Sequence, residues 1–231
     1  MKLEGLLVTR EQKGNSALQP NSATTEQINL KLTLQFNEQR ELVIGGRIQF
    51  GLKGGQLKLK LVNGEIPVES RKLDGLVKLS AEKQRLPQQE SESQSTINAG
   101  LPESPPVVKA TPGTNQTAEE TEKFQPSLCQ VTTKGSEENP TWVFEVNRGE
   151  PVLKGLLKNV LLATLSVTAK PCCVEATFEV SPQDVYMIEA EGLWPNNISR
   201  KKIAVIERAI VRRFLERKLK PYLSRHELRY D

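Results

Sequence analysis

The sequence predicts a mainly β protein with a C-terminal α-helix: an antiparallel β-sandwich or incomplete barrel interrupted by a long disordered insertion. Three observations lead there. Apolar and polar residues alternate with period two in the N-terminal third, the middle of the chain turns to Gln, Ser, Glu, Thr and Pro, and near the C terminus the apolar spacing changes to three and four.

The clearest strand comes first. Ile28, Leu30, Leu32, Leu34 and Phe36 share one face and Asn29, Lys31, Thr33 and Gln35 the other. Leu42, Ile44, Ile48, Phe50 and Leu52 repeat the pattern, as do Leu57, Leu59 and Leu61. With Asn37-Glu38-Gln39 as a loop and Gly54-Gly55 as a hairpin turn, these runs are expected to form a three-stranded meander. Gly45-Gly46 reads as a bulge inside the middle strand. Weaker strands are expected at Leu3 to Thr9 and Leu73 to Leu79. Both carry Leu, an acidic residue, Gly and Leu, a pattern related to Leu153-Lys154-Gly155-Leu156. Four matching positions in a Leu-rich chain arise readily by chance and do not establish a duplication.

From Ala81 to Pro140 the composition changes. Seven of the 14 prolines lie between Pro87 and Pro140, and Phe124 is the only aromatic residue there. Ordering a residue costs about 1–2 kcal/mol, and so little apolar surface cannot offset it, so residues 81–140 are expected to be a disordered, low-complexity insertion. Strand patterns return in Trp142, Phe144 and Val146, in Val174, Ala176, Phe178 and Val180, and over Asp184 to Ala190. Residues 153–167 fit both periods, and Gly155, Asn159 and the β-branched residues tilt them toward strand. Residues 1–80 and 141–231 are each marginal alone and are expected to complete one split domain.

The tail predicts a helix over about 199–220, stopped by Pro221, with Ile203, Ile206, Ile210 and Phe214 as its apolar stripe and Val211, Leu215 and Leu219 beside it. Residues Pro195 to Ser199 supply its N-cap candidates. Its first turn carries Arg200, Lys201 and Lys202, the sign the helix dipole disfavours. The formal net charge of +4 conceals an asymmetry: residues 1–80 hold 12 basic and 8 acidic side chains, 81–140 hold 5 and 9, 141–198 hold 4 and 7, and 199–231 hold 11 and 4.

No motif names a reaction. Gly46 to Gly51 has Walker spacing but continues Leu52-Lys53, and neither GxGxxG nor GxSxG occurs. Three cysteines, Cys129, Cys172 and Cys173, and the single histidine, His226, provide no disulfide or zinc framework. On a strand, Cys172 and Cys173 face opposite ways, one to the core and one to the surface. No cofactor, metal or catalytic residue is expected.

The start carries a charge within four residues, and the longest aliphatic run is only Val160 to Ala163, so a cytoplasmic protein without a transmembrane segment is expected. The candidate anion- or partner-binding residues are Arg200, Lys201, Lys202, Arg208, Arg212, Arg213, Arg217 and Lys218. Weaker ones are Lys31, Arg47, Lys58 and Lys60 on a polar sheet face.

The favoured expectation is a non-catalytic binding or scaffold protein that uses its basic helix to meet a protein or other anionic macromolecule. The alternatives are a nucleic-acid binder using the helix and the sheet face, or an enzyme with an unrecognised carboxylate or histidine site. A homo-oligomer is open, because the edges of an incomplete barrel can pair with a copy.

Overall fold

The structure, a computed structural model, describes residues 1–8, 26–43, 45–80, 127–147, 149–194 and 198–231. In chain order its strands are β1 (Lys2–Leu7), β2 (Gln27–Phe36), β3 (Gln39–Val43), β4 (Gly46–Leu52), β5 (Gly54–Val62), β6 (Gly64–Glu65), β7 (Gly75–Leu79), β8 (Ser127–Lys134), β9 (Thr141–Val146), β10 (Gly155–Val167), β11 (Cys172–Glu179), β12 (Val185–Glu191) and β13 (Ser224–Tyr230). Between the last two lie α1 (Arg200–Ile210), a π-helical turn (Val211–Leu215) and α2 (Glu216–Leu219).

The strands form three antiparallel sheets, ordered β1-β2-β10-β6, β13-β11-β5-β9-β8-β7 and β12-β4-β3. One apolar core runs through all three and takes in the helical segment. Its centre is aromatic. Phe36 of β2 lies 6.1 Å from Phe144 of β9 and 5.8 Å from Phe178 of β11, ring centre to ring centre, which ties the first sheet to the second. At one seam, isolated bridges Ser80↔Leu156 and Arg71↔Ala163 link the β7 side to β10. At the other, β1 and β13 approach as edge strands of different sheets. A mainly β fold with a C-terminal helix, built from antiparallel sheets, is therefore what this chain adopts.

The expected meander does not form. β2 pairs with β1 and β10, β4 with β3 and β12, and β5 with β9 and β11. The two glycine pairs also exchange roles. The hairpin turn is at Gly45, where φ is +91°, and it joins β3 to β4 with Val43 opposite Gly46. Gly54 and Gly55 instead open β5, where a Cβ would press on the Phe144 carbonyl and the Phe178 ring. They serve close packing rather than a turn. The single run expected from Leu42 to Leu52 is thus two strands, which leaves Leu42 exposed and Ile48 buried.

Strand β8 is a second correction. Ser127–Lys134 fell within the expected insertion, yet it pairs with both β7 and β9 and buries Cys129 and Val131. Residues 81–126 of that insertion lie outside the described residues. Burial pushes the Cys129 thiol up to about 11, so it stays protonated. Cys172 is buried and Cys173 is half-buried, as strand alternation requires.

Residues 153–167 form strand, and their mixed spacing has a geometric cause. β10 breaks register between Leu157 and Val160 and again between Leu161 and Ala163, with Asn159 at φ +52°. Each irregularity moves the apolar face by one residue, imitating helical spacing.

Candidate interaction surface and edge cleft

The helical segment shows how its charges are displayed. Ser199 precedes α1 without capping it through its side chain, and no acidic residue stands in the first turn. Pro195, Asn196 and Asn197, the other cap candidates, lie outside the described residues. The buried positions of the segment are Ile210, then Val211, Leu215 and Leu219. Ile203, Ile206 and Ile210 follow helical spacing, whereas the second set repeats every four residues and starts one residue later. The π turn absorbs that extra residue, so both rows meet the core. The expected stripe and the row beside it are both present, and the π turn between α1 and α2 is the part that the spacing did not show.

All eight basic residues expected here are exposed. Arg200, Lys201, Lys202 and Arg208 lie on α1, Arg212 and Arg213 on the π turn, and Arg217 and Lys218 on α2. Lys218 pairs with Glu41 of β3 at 2.5 Å, and Arg213 stands 6.0 Å from the Phe214 ring. Among the described residues the other six make no ion pair. Lys201, Val205 and Arg208 are spaced four and three apart, which puts them on one face of α1, with Val205 64% exposed between the cations and Arg212 following on the π turn.

The weaker basic set is not one face. Lys31 is in the first sheet, Arg47 in the third, and Lys58 and Lys60 in the second. Lys58 pairs with Glu179 at 2.5 Å, Lys60 stands opposite Glu175, and Arg47 stands opposite Glu191. The expectation relied on β2, β4 and β5 being neighbours, and their separation into three sheets removes it.

Two hollows adjoin these elements. One, about 450 Å³, lies beside the π turn and α2, walled by Phe36, Phe50, Phe178, Leu215 and Leu219, with Lys218 and Glu41 also lining it. The other, about 530 Å³, is an open cleft between β1 and β13. Strand β13 was not foreseen. Its register sets Ala176 opposite both Leu59 and His226, and Cys172 opposite Tyr230. His226 and Tyr230 therefore share the core-facing side of the sheet, while Arg225, Glu227 and Arg229 face outward. The visible signal was the alternation of His226, Leu228 and Tyr230 with charged residues.

His226 Nδ1 and the Tyr230 hydroxyl are buried and have no hydrogen-bond partner among the described residues. Burial raises the Tyr230 pKa. Glu4, across the cleft, is held below its ordinary value first by a hydrogen bond from Lys2 and then by the charges of Lys2, Lys31 and His226. Among the described residues no three His, Cys, Asp or Glu side chains group as metal ligands, and no helix is long and apolar enough to cross a membrane. Comparison with models of known families finds no match, and a search of curated proteins finds no relative.

Proposed function

We propose that this chain is a non-catalytic binding protein that presents the outward face of α1 and the π turn to an acidic protein surface. One observation carries the reading: Lys201 and Arg208 flank exposed Val205, Arg212 follows on the π turn, and these cations have no ion-pair partners among the described residues. Like charges in the first turn oppose the helix dipole by about 0.3–1 kcal/mol each, a cost that a carboxylate-bearing partner would reverse.

Protein is favoured over nucleic acid for two reasons. An apolar residue sits inside the basic face, where a phosphate backbone has nothing to match it. The second basic surface that a polynucleotide would use is divided among three sheets.

The test is fluorescence anisotropy with a polyglutamate peptide and with generic duplex DNA, at low and raised salt. The reading expects the peptide to bind, with affinity lost in a K201E/R208E/R212E variant and weakened in V205S. Duplex DNA binding with a steep salt slope and no sensitivity to V205S would replace it with nucleic-acid binding. No binding of either probe at low salt would remove both.

A further inference from the structure

We propose that the cleft between β1 and β13 is a binding site for a small carboxylic acid with an apolar body. Among the described residues five buried side-chain polar atoms lack a hydrogen-bond partner, and two of them, His226 Nδ1 and the Tyr230 hydroxyl, belong to residues that line this cleft. Buried polar groups are almost always paired, and here both orphans come from one edge strand and line the same hollow. At about 530 Å³ its volume falls within the range of small-molecule sites.

The charges define the ligand further. Lys2 is paired with Glu4, and Arg229 Nε is 2.9 Å from Asp231. Lys31 stands opposite Glu4 in the β1–β2 register, yet it makes no ion pair among the described residues. Lys31 thus brings to the cleft a positive charge that no carboxylate of the described residues meets within ion-pair distance. Leu6 and Leu228 contribute apolar wall beside the polar groups, which suits a ligand with one charged end. In the proposed complex the Tyr230 hydroxyl donates to a carboxylate oxygen while Lys31 supplies the countercharge.

Gly5 makes the arrangement sterically feasible. It sits opposite Leu30 in β1, and a Cβ there would fall on the Tyr230 hydroxyl. The bare backbone lets Tyr230 lie across the seam with its oxygen packed against Gly5.

The experiment is an NMR titration of the full chain with benzoate, with its neutral isostere benzamide and with inorganic phosphate. His226 is the only histidine, so its imidazole signal is unambiguous. Benzoate is expected to shift that signal and the amides of residues 3–6 and 226–230, and to bind about tenfold more weakly to K31Q and Y230F. The K201E/R208E/R212E variant is expected to bind benzoate unchanged, which separates this site from the helix. Lys31 is on the surface, so K31Q decides the question if Y230F does not fold. Equal binding of benzamide and benzoate, tighter binding of phosphate, no shift at His226, or loss in the helix variant would each overturn the proposal.

Discussion

The outward face of β5, β11 and β13 and the outward face of α1 carry similar residues in opposite arrangements. On the sheet, Lys58 meets Glu179 at 2.5 Å and Arg225 meets Glu175 at 2.8 Å, each pair bridging neighbouring strands. On α1, Arg200, Lys201, Lys202 and Arg208 meet no carboxylate among the described residues. The difference teaches that basic charge alone does not mark a binding surface. Strand pairing sets acids and bases side by side and uses their charge internally, whereas the cations of α1 have no carboxylate within ion-pair distance among the described residues.

The comparison can be broken most decisively on the helix. A K201E/R208E/R212E variant is expected to lose acidic-peptide binding by about a hundredfold, with thermal unfolding almost unchanged. The matching reversal on the sheet, Lys58→Glu with Lys60→Glu, is expected to destabilise without affecting that binding. Equal binding losses would mean that the two surfaces are not distinct.

A smaller effect belongs to single sheet positions. Glu175→Lys puts a cation opposite Lys60 and beside Arg225, and should cost about 1 kcal/mol in urea unfolding. In the first turn of α1 the sign reverses. Lys201→Glu should stabilise by about 0.5 kcal/mol, because a carboxylate suits the helix N terminus. If both substitutions destabilise, the contrast between paired and unpaired faces fails.

The smallest expected effect concerns acid. Hydrogen bonds from Lys2 and Lys220 hold Glu4 and Glu216, respectively, below the ordinary value of 4.5. A folded pKa that is lowered adds stability above 4.5, and this is lost as pH falls through the folded value. Denaturation curves at decreasing pH should therefore fall less steeply below 4.5 for Lys2→Gln and Lys220→Gln than for the parent. Unchanged slopes would show that the pairs do not persist in solution.

Much of this fold was legible from local pattern. β2 alternates without a fault, and its apolar residues Ile28, Leu30, Leu32, Leu34 and Phe36 are all buried. The cationic first turn of α1 was equally plain. Strand β8 was missed because Cys129 and Val131 alternate within a stretch whose overall composition is polar, and averaging over that stretch hides eight residues of strand. Strand β13 was missed because only three uncharged residues, His226, Leu228 and Tyr230, alternate with charges in the short stretch after Pro221, which stops the helix. The cleft could not be read at all, since it depends on which edges of two sheets become neighbours.

The sequence by itself determined where strands and helix arise, because a residue's neighbours two, three or four positions away decide which face is apolar. It also determined that the last 33 residues are strongly basic, with 11 basic and 4 acidic side chains from 199 to 231. Only the tertiary structure decided which strands pair, that Gly45 turns the chain while Gly54 and Gly55 pack, and that Lys31 looks onto a cleft beside His226 and Tyr230. The physical reason is range. Side-chain alternation is a local property, but pairing is a choice among many apolar faces, and burial of a core assembled from distant segments makes it.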